Sequence, residues 1–256
     1  MLADARRTAI TERLRAEGSV SVAELEERFG VSSMTARRDL ALLEQRGVAR
    51  RTHGGAVLPS IAGHEDSFAS RLLMATAAKN TLAAAAATTV SAHESVFLDS
   101  SSTAYHLARH LLDRGIPLTL ITNSLPVMEL VATHPTGGVE LIGIGGQLRH
   151  LTRSFVGPFA VHTALGHVAD RLFFSVKGVT ADGALTDADP FEAEIKRAMV
   201  AHAAEAVLLV DHSKLSARGL AVIAHVSDLS RVIAHGAADE QLRALRGHGA
   251  AVEVVT

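Results

Sequence analysis

Cysteine is absent from the 256-residue chain, which excludes a disulfide framework and thiol chemistry. The N-terminus has no apolar segment of the kind that directs a protein to secretion. The most lipid-like stretch, residues 82–92, consists largely of alanine and falls well below the ~20 apolar residues needed to span a bilayer. From these absences we expect a soluble, cytoplasmic protein without a membrane partner.

Cofactor and metal signatures are also incomplete. Residues 143–146 do not match the dinucleotide-binding fingerprint, because its third glycine and a convincing ribose-binding acid are lacking. His106 and His110 have the i, i+4 spacing of two metal ligands on a predicted helix, yet no clear third ligand accompanies them. We therefore expect no cofactor and no metal site, and we interpret both histidines as surface or half-buried side chains.

The charges are unevenly distributed along the chain. The net charge is −2, but residues 1–58 hold ten arginines against eight acidic residues, and the remainder has a net charge of −4. Within residues 37–51 there are five arginines and two acidic residues. Such a local concentration is what binding to DNA phosphates requires. The acidic remainder is better suited to dimerisation and ligand sensing.

Helix signals precede the arginine-rich segment. Ile10 and Leu14 indicate a first helix. Ser21 is the predicted N-cap of a second helix, with Glu24 as its capping-box partner, and Gly30 breaks that helix. The sequence therefore predicts two helices before the arginines begin.

A third helix is predicted to follow Ser32, whose hydroxyl can cap it. Apolar residues recur at the spacing of one buried face, at Ala36, Leu40 and Leu43. The opposite face is free near the helix N-terminus, where a recognition helix meets base edges and phosphates in a major groove. Arginine is suitable there because its planar fork can pair with guanine or phosphate. The candidate DNA-binding residues on this face are Ser33, Thr35, Arg37 and Arg38.

Beyond this helix the sequence predicts a β-wing. Gly47 is placed to end the helix, and residues 48–52 and 56–58 can form two short strands about a turn at residues 53–55. Three basic side chains complete the candidate DNA contacts, namely Arg50, Arg51 and His53. The alternative is three small helices whose arginines form an ordinary solvated face. The clustering of positive charge favours a winged helix-turn-helix.

This segment closely resembles the N-terminal domain of DeoR-family transcriptional regulators, over roughly residues 6–57. The resemblance implies a DNA-binding domain. It departs from the usual family pattern at Ala36, where a β-branched residue is common. The motif consists of Val20, Ser21, Val22, Leu25, Phe29, Val31, Ser32, Thr35, Arg37, Arg38, Asp39, Leu40, Leu43, Glu44, Gly47, Arg51, His53, Gly54, Gly55 and Ala56.

From residue 95 onwards, short β-branched runs alternate with helical patterns. The predicted strands are residues 96–98, 118–121, 139–142, 172–175, 207–210 and 232–234. The predicted helices lie near residues 103–113, 125–133, 157–166 and 190–204, after an alanine-rich helix at 75–90. Such alternation is typical of a mostly parallel sheet with helices on both faces.

Polar turns follow five of these strands. Ligands of open α/β sheets bind at the carboxyl ends of the strands, so we expect the turns to line one crevice. Serine and threonine at a turn are more often helix caps, but five polar turns at corresponding strand ends favour a ligand site. The candidate residues are Asp99, Ser100, Ser101, Ser102, Thr103, Thr122, Asn123, Ser124, Gly145, Gly146, Lys177, Asp211 and Lys214.

The chemistry of these turns indicates an anionic polyol. The helix that opens at residues 100–103 has free N–H groups and a dipole that favour an anion, and the two lysines add positive charge. The two glycines let a backbone approach closely. Asp99, Asn123 and Asp211 can bind hydroxyls. A phosphorylated sugar is the simplest ligand that matches these features.

The second half also resembles the DeoR family, whose effector domain shares its fold with ribose-5-phosphate isomerase-like enzymes. The resemblance implies sugar-phosphate binding at residues 99–103, at residues 122–124 and at Lys214. It departs at Ser101, where the family commonly has glycine. The matching positions are Phe68, Arg71, Lys79, residues 99–103 and 122–124, Gly145, Gly146, Gly157, Gly178, Gly183, Thr186, Glu194 and residues 211–214.

Together these patterns predict an α/β protein. A winged helix-turn-helix DNA-binding domain at 1–58 and a linker at 59–74 precede a mostly parallel, ribose-5-phosphate isomerase-like effector and oligomerisation domain at 75–256. We expect a repressor of carbohydrate-catabolism genes that binds a double-stranded DNA operator. A phosphorylated sugar relieves the repression, and the protein assembles as a homo-oligomer, a dimer or a tetramer.

An isomerase-like enzyme with an accessory DNA-binding domain is the main alternative. The enzymes of the resembling fold act on sugar phosphates, and Asp182, Glu192 or Glu194 could supply a general base. The stretch after Lys177, however, lacks the paired acidic cluster that resemblance to the isomerases implies. An enzyme would also leave the DNA-binding half without a role, so we expect no catalytic residues.

Overall fold

The computed structural model describes residues 3–17, 19–52, 54–57, 65–135, 138–215 and 217–256. Contacts within the chain divide it into two units, residues 1–70 and 71–256. A helix at Phe68–Leu73 lies within the range predicted as a linker, so that range is not irregular throughout. None of the described helices has the length and the apolar character that a membrane crossing needs.

The first unit combines helices with a small antiparallel sheet. In chain order its elements are α1 (Ala3–Glu17), β1 (Ser19–Ser21), α2 (Val22–Phe29), α3 (Ser33–Gln45), β2 (Arg50–Thr52) and β3 (Gly55–Val57). Strand β3 lies in the middle and pairs with both β1 and β2. The predicted winged helix-turn-helix is confirmed. Strand β1 was not predicted, because the sequence assigns Val20 and Ser21 to the start of the second helix.

Helix capping in the first unit agrees with the sequence. The Ser21 hydroxyl accepts a hydrogen bond from the Glu24 backbone N–H at 3.2 Å, and the Glu24 carboxylate accepts one from the Ser21 N–H at 2.7 Å. Gly30 ends α2 in the left-handed region with φ of 62°, which glycine adopts at no steric cost. The Ser32 hydroxyl caps α3 by accepting from the Thr35 N–H at 3.3 Å. These predicted caps are confirmed.

A small apolar core holds the first unit together. Its buried side chains are Ile10, Leu14, Val20, Leu25, Ala36, Leu40, Leu43, Ala49 and Ala56. Gly55 lies so close to β1 that a Cβ there would be 2.0 Å from the Val20 carbonyl oxygen. Any side chain at Gly55 would therefore force the wing away from β1.

Among the described residues, the second unit is built on a seven-stranded sheet. The strands of the whole second unit, in chain order, are β4 (Ser95–Leu98), β5 (Leu118–Thr122), β6 (Val139–Gly143), β7 (Gln147–Arg149), β8 (Ser154–Val156), β9 (Ala169–Phe174), β10 (Gly178–Val179), β11 (Ala184–Asp187), β12 (Ala203–Asp211), β13 (Ala221–His225), β14 (Arg231–His235) and β15 (Val252–Val255). The order in the large sheet is β15-β14-β12-β9-β4-β5-β6, and every pairing in it is parallel.

Helices cover both faces of this sheet. From residue 68 onwards the helices are α4 (Phe68–Leu73), α5 (Thr76–Thr88), α6 (Ser102–Arg114), α7 (Leu125–Thr133), α8 (Pro158–Leu165), α9 (Pro190–Ala201) and α10 (Asp239–Gly247), of which α5 to α10 pack against the sheet. Successive residues of a strand point to opposite faces. Phe97 and Leu172 accordingly pack with α8, α9 and α10, whereas Val96 and Phe173 pack with α5, α6 and α7. The predicted parallel sheet with two covered faces is confirmed.

Two antiparallel additions to this fold were not predicted. Strands β7 and β8 form a hairpin, and β10, β11 and β13 form a separate sheet. These strands are two to five residues long, too short for a recognisable alternation of apolar and polar residues. At Gly178 in β10, a Cβ would be 1.9 Å from the Ala217 carbonyl oxygen. Glycine is therefore required there so that the two backbones can approach.

Candidate DNA-binding face and effector site

One side of α3 is buried in the first unit and the other is exposed. The buried side chains are Ala36, Asp39, Leu40 and Leu43. The exposed side chains of the first two turns are Ser33, Met34, Arg37 and Arg38. Three of these are among the sequence candidates for DNA contact. Met34 is not among those candidates, although its helical spacing from Ala36 and Leu40 places it on the exposed side.

The remaining DNA-binding candidates differ in placement. Thr35 is half-buried, and its hydroxyl lies 3.1 Å from the Ser32 hydroxyl, where it supports the cap of α3. Arg51 is exposed on β2, and together with Arg37 it lines a cleft of about 450 Å³. Arg50 belongs to β2, but its side chain lies outside the described part of the structure, as does the whole of His53.

The wing is joined to α3 by a hydrogen bond from its backbone. The Arg51 backbone N–H donates a hydrogen bond to the Glu44 carboxylate at 2.9 Å. Glu44 lies in the last turn of α3. This bond leaves the Arg51 guanidinium free to extend into solvent beside the exposed face of α3.

Asp39 is an acidic residue within the basic segment, but it does not face solvent. Its side chain is buried, and its carboxylate accepts hydrogen bonds from Arg6 Nε at 2.6 Å and from an Arg7 nitrogen at 3.2 Å. Asp39 therefore joins α3 to α1. Its negative charge is neutralised inside the unit and is not presented on the exposed face of the helix.

In the second unit, the register of the large sheet brings the predicted polar turns to one edge. Leu98 at the end of β4 pairs with Thr122 of β5 on one side and with Phe173 of β9 on the other. Strand β6 pairs in parallel with β5, and β12 pairs in parallel with β9, so all five strands end at the same edge of the sheet. All five polar turns therefore open at the carboxyl edge of the sheet, as the sequence predicts.

The turn after β4 is a buried, internally bonded loop. Asp99 Oδ1 accepts hydrogen bonds from the Ser101 N–H at 3.1 Å and from its hydroxyl at 2.6 Å. The Ser101 hydroxyl also caps α6, accepting from the Ala104 N–H at 3.0 Å. Ser100, Ser102 and Thr103 are buried beside them. The Ser101 side chain is thus turned back onto its own loop, and Asp99 positions that loop.

Lys196, which the sequence did not single out, holds this loop from α9. Its ammonium donates to the Asp187 carboxylate at 2.6 Å and to the Ser175 carbonyl oxygen at 2.8 Å, and lies 3.0 Å from an Asp99 carboxylate oxygen. Burial alone lowers the pKa of Lys196, but the carboxylates of Asp187, Asp99 and Glu192 raise it above its ordinary value. The lysine is therefore charged in the folded protein and connects the ends of β4, β9 and β11.

Glu192 extends the same buried cluster, one helical turn before Lys196. Its carboxylate accepts hydrogen bonds from the Ser100 hydroxyl at 3.0 Å and from the Ser154 hydroxyl. An Arg149 nitrogen lies 3.7 Å from it. Glu192 is thus bound by the loop after β4 and by β8, so that this candidate general base is held by two hydroxyls.

The two other carboxylates considered as bases are exposed. Asp182 accepts a hydrogen bond from the Thr180 hydroxyl at 2.5 Å, and this bond is the main reason that the pKa of Asp182 lies below its ordinary value. Glu194 faces solvent on α9. Because a general base works best when its pKa is close to the working pH, Asp182 is poorly suited to that role.

Asn123 has a buried acceptor oxygen without a hydrogen-bond donor among the described residues, in the turn after β5. Its amide NH₂ donates to the Phe155 carbonyl oxygen at 3.0 Å, whereas its Oδ1 is buried and receives no hydrogen bond from the described residues. Thr122 and Ser124 use their hydroxyls in bonds with the backbone. A buried oxygen left without a donor costs about 1–3 kcal/mol. The Oδ1 of Asn123 can therefore accept a hydrogen bond from a further donor group.

The other effector candidates are placed as follows. Gly146 is needed for packing, since a Cβ there would be 2.8 Å from the Val156 carbonyl oxygen, whereas Gly145 has open space beside it. Lys177 and Lys214 are half-buried in the turns after β9 and β12. The buried Asp211 carboxylate accepts from the Ser213 N–H at 2.9 Å and so shapes the turn that carries Lys214.

The expectation for His106 was wrong, because the side chain is only 4 % exposed. Burial and the nearby Lys79 ammonium lower the pKa of His106 to about 4, so its ring is neutral near neutral pH. His110, one turn further along α6, is half-buried as expected. Within the described ranges, no group of three or more His, Cys, Asp or Glu residues is arranged to hold a metal ion.

Known proteins are similar to both units. A family model described as a DeoR-like helix-turn-helix domain matches residues 6–62, and one described as the DeoR C terminal sensor domain matches residues 74–235. The transcriptional repressor AccR of Agrobacterium fabrum is 32% identical over 229 residues, covering 89% of this chain and 88% of that protein. The putative aga operon transcriptional repressor of Escherichia coli O157:H7 is 33% identical, covering 98% and 92%.

Among solved structures, ribose 5-phosphate isomerase A of Methanocaldococcus jannaschii is similar to part of the chain. The similarity covers 54% of each chain, with a TM-score of 0.41 and 19% sequence identity.

Proposed function

Because this chain belongs to the DeoR family of transcriptional regulators, we propose that it is a repressor of carbohydrate-catabolism genes. It binds a double-stranded DNA operator through its first unit. A phosphorylated sugar, bound at the carboxyl edge of the large sheet, relieves the repression. Both relatives described above are named transcriptional repressors, which supports repression as the direction of control.

The exposed arginines of α3 and the wing support the operator half of the proposal. Arg37 and Arg38 lie in the first two turns of α3, where a recognition helix meets base edges, and Arg51 is exposed on the adjacent wing. Because Asp39 is neutralised inside the unit, its carboxylate does not compete with the duplex for Arg37 and Arg38. The DNA contacts proposed are Ser33, Thr35, Arg37, Arg38, Arg50, Arg51 and His53.

Arg38→Ala should weaken operator binding by about 1–3 kcal/mol and relax base preference at one position, because a bidentate contact is lost. Arg51→Ala should weaken binding to all sequences alike and reduce the salt dependence by about one phosphate contact. Both effects can be measured by fluorescence anisotropy, at several salt concentrations, on a duplex selected by the wild-type protein. Arg243→Ala, an exposed arginine of α10, is the matched control. Wild-type affinity in Arg38→Ala would show that the recognition-helix assignment is wrong.

The buried acceptor oxygen of Asn123 carries the effector half of the proposal. It lies in the strand-end turn next to the loop that opens α6, since β4 and β5 are neighbours in the sheet. A helix N-terminus favours a phosphate, and a sugar hydroxyl is the donor that a buried amide oxygen needs. One ligand with both groups, a phosphorylated sugar, fits the two features, with Lys214 as the cation at the rim.

Lys214→Ala should keep operator binding but lose the response to the effector, because the phosphate loses its cation. The measurement is the operator affinity of the variant with and without the sugar phosphate. Arg218→Ala removes an exposed cation four residues away and should respond as the wild type does. An unaltered response in Lys214→Ala would remove Lys214 from the site.

A thermal-shift screen of phosphorylated sugars tests the effector class, with each unphosphorylated parent sugar and inorganic phosphate beside it. A ligand that binds only the folded state stabilises it by about 2.7 kcal/mol at a concentration of 100 times its Kd. We expect one or a few sugar phosphates to raise the melting temperature, and their parent sugars to leave it unchanged. A full pentose and hexose phosphate panel without any shift would contradict the proposal.

We further propose that the protein binds its effector without turnover and acts as a homo-oligomer, a dimer or a tetramer. An oligomer that binds two operator half-sites at once gains operator affinity, because the second half-site is then bound in an intramolecular step at a high effective concentration. Sedimentation at micromolar concentration should give more than one protomer. Incubation of the purified protein with sugar phosphates should leave them unchanged, and turnover at ordinary enzyme rates would contradict the regulator.

A further inference from the structure

Met34 lies at the centre of the outward face of α3. Residues 36, 39, 40 and 43 define the buried side of the helix. At about 100° per residue, Met34 points almost directly away from that side, and its side chain is 72 % exposed. Among the described side chains of residues 1–70, it is the one large apolar group that is mostly exposed. The packing of the described residues of the first unit does not account for an apolar group at this point.

The neighbours of Met34 show which kind of surface it belongs to. Arg37 and Arg38 follow it by three and four residues, so they lie beside it on the helix, and both are exposed. Met34 is in the first turn of α3, the part of a recognition helix that reaches furthest into a major groove. The Met34 thioether lies about one turn before the two arginines, at the N-terminal end of the helix. It would therefore meet a base edge when the arginines contact the duplex.

We propose that Met34 contacts the C5-methyl group of a thymine in the major groove and thereby selects thymine at one position of each operator half-site. The inference rests on the proposed function of α3 as the recognition helix. In the major groove, bases present hydrogen-bonding atoms and, on thymine, a methyl group. Met34 carries no donor, so it gains from apolar contact and cannot read the acceptors of guanine or adenine. Its unbranched, flexible side chain can adapt to the position of that methyl group.

Deoxyuridine substitution tests this directly, because deoxyuridine differs from thymidine only in lacking the C5-methyl group. A duplex selected from random sequences by the wild-type, full-length protein is prepared with each thymine replaced in turn. At one position in each half-site, the wild type should lose about four-fold in affinity, the effect of withdrawing one methyl group from apolar contact. Met34→Ala should bind the thymine and deoxyuridine duplexes equally at that position.

Two further variants separate this contact from general effects. Met34→Leu keeps an apolar side chain of similar size and should retain the preference for thymine. Gln45→Ala changes an exposed side chain on the same outward line of α3, further from the helix N-terminus, and should retain it as well. Because Met34 is exposed, thermal denaturation of Met34→Ala should match the wild type.

The inference is overturned if Met34→Ala discriminates thymine from deoxyuridine as the wild type does, or if no deoxyuridine substitution affects the wild type. Failure of the proposed function gives a different result, since the wild-type protein would then select no duplex from the random pool.

Discussion

Lys196→Met is expected to lower the stability of the second unit by about 3–5 kcal/mol, the usual cost of removing one partner from a buried ion pair. The ammonium lies within 3.0 Å of carboxylate oxygens of both Asp99 and Asp187. Methionine fills much of the same volume but leaves two buried carboxylates without a cation. Urea denaturation followed by circular dichroism measures the loss as a shift of the unfolding midpoint.

The pH dependence of Lys196→Met gives a second test of the same cluster. Without the ammonium, two buried carboxylates lose their cation, and a buried charge without a partner is costly. Acid removes such charges, so the stability of the variant relative to the wild type should recover as the pH is lowered.

Matched variants distinguish the ion cluster from a general loss of packing. Glu194→Gln changes an exposed residue of the same helix and should leave the midpoint unchanged. Adding Asp187→Asn to Lys196→Met removes one of the two orphaned charges and should recover part of the loss. If Lys196→Met has the same urea midpoint as the wild type at neutral pH, the cluster does not hold the loop after β4.

Asp39→Ala is expected to destabilise the first unit by about 3 kcal/mol, at the lower end for a buried pair because Arg7 remains partly exposed. The change leaves the buried Arg6 guanidinium without its 2.6 Å partner and removes the ion pairs that join α3 to α1. Operator binding should weaken with it, because Arg37 and Arg38 are carried by α3.

The measurement is the thermal unfolding of Asp39→Ala together with anisotropy on the selected duplex. Asp4→Ala is the control, since Asp4 also pairs with Arg7 but is exposed, and exposed pairs contribute little. Its unfolding and its DNA binding should match the wild type. Full operator affinity in Asp39→Ala would contradict the role of Asp39 as the anchor of the recognition helix.

Features set by neighbouring residues were predictable from the sequence. The capping box of Ser21 and Glu24 and the cap at Ser32 each depend on groups three residues apart. The alternation of strands and helices in the second unit likewise follows from local periodicity, which is why the parallel sheet and its row of polar turns were expected.

Features that depend on distant residues were not predictable. Strand β1 exists because β3 pairs with it, and Lys196 gains its role only when folding brings α9 beneath the loop after β4. Asp39 fits the helical spacing of the buried face, yet a carboxylate at a core position is explained only by Arg6 and Arg7 of another helix. Gly146 was interpreted as a site for close ligand approach, but its neighbours require it for packing against Val156.

The central claim is that one ligand couples the two units, and linkage offers the most direct test. The operator affinity of the full-length protein is measured with and without the sugar phosphate identified by thermal shift, and the affinity for that sugar phosphate with and without operator. A coupling of about 1–3 kcal/mol should weaken each binding step by the same factor. Operator affinity that is unchanged at a saturating concentration of the sugar phosphate would contradict the account.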